Sequence, residues 1–147
     1  MMPGLPRSPK SLESLPDEAL TWVEFIAIVA RVLDLPLTKA PEAVLNPALA
    51  ESALAAPHAG FGGVPIHADP IARAAVLGVK ICRNHSLVDG NKRVALIAMS
   101  VQLRRIGLRL NGTQMERAAT VEAMAAGTMS DQEFVHWVRV HIEAQPS

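Results

Sequence analysis

Between Asn91 and Gly107 the chain carries Val94-Ala95-Leu96-Ile97-Ala98-Met99-Ser100-Val101, a run in which Ser100 is the one polar side chain. Its length and its Ala and Leu content are those of a buried helix. A helix apolar on every side has to be wrapped by other elements, so the run predicts a central helix, from about Asn91 to Ile106 and stopping at Gly107, inside a bundle of helices. The residues just ahead of it, His85-Ser86-Leu87-Val88-Asp89-Gly90-Asn91-Lys92-Arg93, bring together a histidine, a carboxylate, a glycine, an amide and two cations.

That combination outlines a phosphate site. The first turn of a helix leaves backbone N–H groups without intrahelical partners and carries partial positive charge, so an anion placed there is already half bound. Asn91, Lys92 and Arg93 fall at that end. Cations have the wrong sign for a helix N-terminus, each unfavourable by roughly 0.3–1 kcal/mol unless an anion answers them, so two in succession ask for a ligand. Gly90 allows positive φ or close approach of a ligand to the backbone. Asp89 is a hard oxygen ligand suited to holding Mg²⁺ against phosphate oxygens. Histidine is the side chain whose ordinary pKa, about 6.5, suits a general base near neutral pH, which puts His85 forward for that role. The same residues admit a structural reading, with solvated cations and with His85 capping the C-terminus of the preceding helix.

The stretch His85 to Arg93 resembles the signature of the Fic/Doc family, His-x-Phe-x-(Asp/Glu)-(Gly/Ala)-Asn-(Gly/Lys)-Arg. His85, Asp89, Gly90, Asn91 and Arg93 fall on its fixed positions, and Lys92 is the variant of the Doc (death-on-curing) toxin branch, where adenylylating Fic enzymes usually have Gly. Leu87 stands where the family usually has Phe, a residue that anchors the loop in the core. The likeness in layout covers roughly residues 45 to 142: Leu54-Ala55-Ala56-Pro57, then Gly60-Phe61-Gly62-Gly63, then a helix leading into His85, as in an upstream helix, a flap and the helix before the loop.

The resemblance implies an all-α fold of the Fic/Doc kind, with Phe61, Gly62 and Gly63 in a small flap. It implies a Doc-like protein kinase toxin that moves the γ-phosphate of ATP, with Mg²⁺, to a hydroxyl of a translation elongation factor. His85, Asp89, Lys92 and Arg93 would be catalytic, Gly90, Asn91, Lys92 and Arg93 would hold nucleotide phosphates, and Asp89 would hold the metal. Two alternatives stand beside it: a Fic-type AMP or other nucleotidyl transferase on a protein hydroxyl, and a catalytically silent binding module of the same fold. Members of the family are commonly restrained by a helix bearing Ser/Thr-x-x-x-Glu-Gly/Asn, whose glutamate pairs with the motif arginine, here Arg93. The nearest approach in this chain, Ser14-Leu15-Pro16-Asp17-Glu18-Ala19, has Ala19 at the last position and Pro16 inside it, so an antitoxin protein acting in trans is the expected partner.

The remaining sequence is read from the residues themselves. A chain of 147 residues suits one domain and buries roughly 68–70% of its unfolded surface. Formal net charge is zero, which gives no bulk attraction to nucleic acid or to an anionic membrane, and three Phe, two Trp and no Tyr offer few platforms for stacking bases. The single cysteine, Cys82, excludes an intramolecular disulfide, fits a reducing cytoplasm and reads as a buried structural residue. Residues 1–16 carry Pro3, Pro6, Pro9 and Pro16 without an apolar core, an extended arm in front of a domain over residues 17–147. No run reaches transmembrane length, so a cytoplasmic location is expected.

Helix signals follow in order. Pro16-Asp17-Glu18 predicts a first helix with Trp22, Phe25, Ile26, Val29, Val32 and Leu33 on its core face, ended by Pro36. Pro41 opens a short turn, and Asn46-Pro47 opens a helix through Ala56, closed by Pro57. His58 to Ala68 reads as a turn-rich loop or short hairpin. Asp69-Pro70 starts a helix reaching Asn84, and Thr113…Glu116 and Ser130…Glu133 are capping boxes for two more, split by Gly127. His58 and His67, and likewise His136 and His141, lack metal-ligand spacing, and Arg104 and Arg105 read as helix-end charges. The total is six or so helices with no strand outside the flap.

Overall fold

The first helix, α1 (Trp22–Leu33), starts where Thr21 and Glu24 cap each other: the Thr21 side chain accepts from the Glu24 N–H, and the Glu24 carboxylate accepts from the Thr21 N–H. This computed structural model describes residues 18–67 and 69–146. The arm at residues 1–16, and Ser14 to Asp17 of the inhibitory-like segment, lie outside the described residues. The helix therefore starts later than the expected Pro16-Asp17-Glu18 turn. Two requirements explain the shift. The reciprocal box satisfies two N–H groups at Thr21 and Glu24, and the Glu18 carbonyl is taken by the buried Gln102 amide at 3.0 Å, which keeps Glu18 out of a helix and fastens the entry of α1 to the far end of the central helix. Arg105 adds an ion pair to Glu24 at the same junction, so this helix-end charge ties two helices together. At its other end α1 stops at a left-handed Asp34, two residues before Pro36.

A 3₁₀ turn (Ala40–Ala43) follows, then α2 (Pro47–Ala55), opened by Asn46, whose side chain accepts from the Leu49 N–H. A second 3₁₀ turn (Ala56–His58) contains Pro57. The flap is a hairpin of β1 (Gly60–Phe61) and β2 (Val64–Pro65), turned through Gly62 and Gly63, both at positive φ as a tight two-residue turn requires. Two long helices come next, α3 (Pro70–Asn84) and α4 (Asn91–Arg105). They pack along one another and form the centre of the bundle. Val94, Ala95, Ala98, Met99 and Leu103 of α4 and Ala74, Ala75, Leu77, Val79 and Ile81 of α3 are all buried. α5 (Gln114–Ala126) and α6 (Asp131–Val140), each opened by its capping box, close the bundle, with Phe134 and Val138 of α6 fully buried. Among the described residues the fold is thus an all-α bundle of six helices around a buried central helix, with α3 sharing the centre with α4.

One expectation fails. Outside the flap a second antiparallel pair forms, β3 (Leu108–Leu110) against β4 (Ile142–Ala144), with Arg109 opposite Glu143 and bonded to it. Three residues a side are too few for period-two alternation to stand out from a loop, and their pairing depends on the chain returning to the end of α4 after two helices. Among the described residues, no helix is long and apolar enough to cross a membrane.

Asp69 ties the start of α3 to the last turn of α6. It caps α3 by accepting from the Ala72 N–H at 2.9 Å and receives a hydrogen bond from Arg139 of α6. That Arg139 bond holds its carboxyl below the usual carboxylate range, against the opposing effect of burial. A depressed pKa gives stability that is present above the unfolded value and lost as pH falls through the folded one. Asp69→Asn, which keeps a capping oxygen but loses the charge, is expected to cost about 0.5–1 kcal/mol at pH 7, a value suited to an exposed and solvent-screened pair. The cost should shrink on acidification below the ordinary carboxylate pKa. Urea midpoints of both proteins across that range check it.

Candidate active site

The loop between α3 and α4 is built by unusual backbone at both ends. His85 ends α3 in the left-handed region at φ 48°, and Gly90 precedes α4 at φ 76°. A Cβ on Gly90 would lie 3.0 Å from the Leu33 Cδ2 and 3.2 Å from the Val32 Cγ1, so both the dihedral and the close approach of α1 require glycine here. Between them the loop is pinned from two sides. The Ser86 carbonyl accepts from the Leu45 and Asn46 N–H groups at 2.8 and 3.2 Å, and the Val88 N–H donates to the Ala43 carbonyl at 2.9 Å. On the other side Asn91 reaches back: its Oδ1 accepts from the Leu87 N–H and its Nδ2 donates to the Leu87 carbonyl, each at 3.1 Å. Leu87 is buried at 1% exposure. The smaller residue at the anchor position therefore still seats the loop in the core.

His85, Asp89, Gly90, Asn91, Lys92 and Arg93 line one cleft of about 560 Å³, together with Cys82, Val88, Glu122, Ala125 and Ala126. The volume is within the usual range for a small-molecule site. His85 is exposed at its rim. Its position as the residue that follows α3, at the helix C-cap, makes the helix-capping reading true of its backbone and leaves the imidazole available to the cleft. The first hydrogen bond of α4 runs from the Val94 N–H to the Gly90 carbonyl at 2.8 Å. The N–H groups of Asn91, Lys92 and Arg93 precede it and face outward from the helix end, as an anion site requires.

The charges are arranged differently from the sequence-based expectation. Lys92 is not left to a ligand: its Nζ lies 3.0 and 2.9 Å from the two carboxylate oxygens of Glu122 on α5. Arg93 donates to the Val32 carbonyl of α1 at 3.3 Å and stands 3.9 Å from the Asp89 carboxylate. The wrong-signed cations of the first turn are thus partly answered by the protein's own carboxylates. Asp89 accepts from the Gly90 N–H at 2.8 Å through Oδ1 and remains exposed. Among the described residues no three His, Cys, Asp or Glu side chains converge. An exposed carboxylate beside the first turn of α4 fits Mg²⁺, which commonly takes one or two carboxylates and completes its shell with substrate phosphates and water.

Cys82 forms part of the cleft wall, and burial pushes its thiol up to about 11. A thiol that stays protonated at neutral pH is a poor nucleophile, in keeping with a structural role. His141, away from the cleft, stacks on Trp137 with ring centroids 4.6 Å apart. The flap residues Phe61, Gly62 and Gly63 are exposed and do not line the cleft. Sequence reasoning missed Glu122, Ala125 and Ala126, which reach the site by the packing of α5 against α4; no local pattern in α5 marks them. It also missed the Ala43–Asn46 segment, whose backbone holds the loop.

Residues 19–103, more than half of the chain, match the Fic/DOC family. The chain belongs to the Fic/DOC family. A search of curated proteins finds no significant match. The family match runs from the entry of α1 to near the end of α4, so it contains the signature loop and the elements that pin it, whereas α5 and Glu122 lie beyond it. Membership supports a transferase role of the nucleotide-transfer type.

Proposed function

We propose that this chain transfers a phosphate-containing group from ATP to a hydroxyl of a target protein. The observation that carries the reading is the convergence of His85, Asp89 and the open first turn of α4 on one cleft. In such reactions catalysis is mostly positioning and charge neutralisation. His85 takes the proton of the attacking hydroxyl as the new O–P bond forms. The N–H groups of Asn91, Lys92 and Arg93 and the two cations hold phosphate oxygens. Asp89 holds Mg²⁺, which when bound neutralises phosphate charge.

Two choices of broken bond remain, and each has its own support. Family membership as such favours nucleotidyl transfer: attack at the α-phosphorus releases pyrophosphate and leaves AMP on the target. Lys92 favours the Doc-like choice: attack at the γ-phosphorus releases ADP and leaves phosphate. On the Doc-like reading the protein is a cytoplasmic toxin, a translation elongation factor is the target, and an antitoxin segment folding onto the domain restrains it in trans. The seating of Leu87 in the core removes the loosened anchor as a reason to favour a silent binding module.

Mass measurement of a target incubated with the chain, ATP and Mg²⁺ tests all of this: a gain of about 80 Da marks phosphate and about 329 Da marks AMP, by formula mass of the group moved. No gain on any hydroxyl-bearing target, elongation factor included, would sink the transfer reading. Growth arrest on expression of the chain alone, relieved by co-expressed antitoxin, is the expected behaviour of the toxin. Asp89→Asn is expected to raise the Mg²⁺ concentration needed for half-maximal activity, and a wild-type Mg²⁺ dependence in that variant would remove Asp89 as the ligand.

A further inference from the structure

Among the described residues, Glu122 is the one carboxylate from outside the loop in the cleft wall. It lies on α5, beyond the residues that match the family. Its two oxygens lie 3.0 and 2.9 Å from the Lys92 Nζ, an ion pair that spans from α5 to the first turn of α4. An acidic side chain in the wall of an anion site is unfavourable to the anion by simple like-charge repulsion. Its presence there needs a compensating use, and the geometry supplies one.

Lysine carries its charge on a flexible four-carbon stem, and that freedom is lost each time the ammonium is brought to a fixed place. With Glu122 holding it, the ammonium is stationed at the α5 side of the cleft. The pair is solvent-exposed on both sides, so Glu122 biases the direction of the ammonium without locking it, and a phosphate oxygen bound in the cleft can draw it over.

We propose that Glu122 is a positioning residue of this site: it biases the direction from which Lys92 meets the nucleotide's phosphates, and so helps to set which of them Lys92 contacts. This rests on the nucleotide-transfer reading above. Because the effect passes through Lys92, it belongs in turnover more than in nucleotide capture. Removing the carboxylate lifts a repulsion from the bound anion while losing the alignment of the cation.

The test uses the full chain with ATP, Mg²⁺ and a modified target, and compares Glu122→Gln, Glu122→Asp, Lys92→Met and the Glu122→Gln, Lys92→Met double variant. Glu122→Gln is expected to lower kcat by roughly two- to fivefold, the range of an exposed ion pair, with KM for ATP unchanged or lower. Glu122→Asp, which keeps the charge one methylene shorter, should recover part of the loss. In the Lys92→Met background, Glu122→Gln should have no further effect on kcat, since a residue that acts through another is silent once that other is gone. An unchanged kcat in Glu122→Gln, or an equal fold-loss with Lys92 present and absent, overturns the inference and leaves the functional reading standing. A wild-type chain that transfers nothing from ATP overturns both.

Discussion

His85→Ala is expected to lower transfer by about 10²–10⁴-fold, the usual worth of a general base, while the melting temperature and nucleotide binding stay close to wild type. The imidazole is exposed, so its removal opens no cavity in the core. Its backbone sits at φ 48°, a region that alanine tolerates less well than histidine or asparagine do. His85→Asn is therefore the companion variant, polar and at ease in that conformation but without a base. Both variants should lose turnover to a similar extent, and any small loss of stability should appear in the alanine form alone. Retention of more than about a tenth of wild-type turnover in His85→Asn would contradict the assignment, because such bases are worth at least about a hundredfold. A loss of turnover that followed melting temperature across the two variants would make His85 a capping residue and no more.

Much of this site was readable because its determinants are local. The caps at Asn46, Asp69, Thr113 and Ser130 each act within three residues of themselves, and each forms as the spacing predicts. The loop's glycine, histidine and carboxylate come to the cleft as a block because nine consecutive residues carry them. What failed to read was contact at a distance. The Glu18 carbonyl, held by Gln102 and Arg105 from the far end of α4, decides where α1 begins, and the β3–β4 pair joins segments separated by two helices.

The charge argument shows the same limit from the other side. Two cations opening a helix ask for negative charge, but sequence cannot say whose, and here Glu122 and Asp89 supply part of it. Support for a phosphate ligand therefore rests on the open N–H groups of the first turn and on the cleft in front of them, more than on the cations that first suggested it.

Asn91 carries the second large prediction. Its place in the signature assigns it to nucleotide phosphates, yet its side chain is buried at 7% exposure and both its polar atoms are engaged by the backbone of Leu87. The amide is a cross-brace: it closes the loop onto the first turn of α4 and leaves only the Asn91 backbone N–H for an anion. Asn91→Ala strands the Leu87 N–H and carbonyl inside the protein. At about 1–3 kcal/mol for each unpaired buried group, a loss of roughly 2–5 kcal/mol is expected, measurable as a shift of the urea midpoint without any nucleotide present. Asn91→Asp keeps the acceptor for the Leu87 N–H but sets a carboxylate against the Leu87 carbonyl, so it should destabilise as well, and less so at a pH low enough to protonate it. Turnover should fall in both variants even in the fraction that remains folded, because His85 and Asp89 flank the segment that the brace holds, and a shift of about 1 Å in reacting groups can cost about 10²-fold. If Asn91→Ala unfolds at the wild-type urea concentration and loses only nucleotide affinity, the amide is a phosphate ligand after all and the brace is incidental.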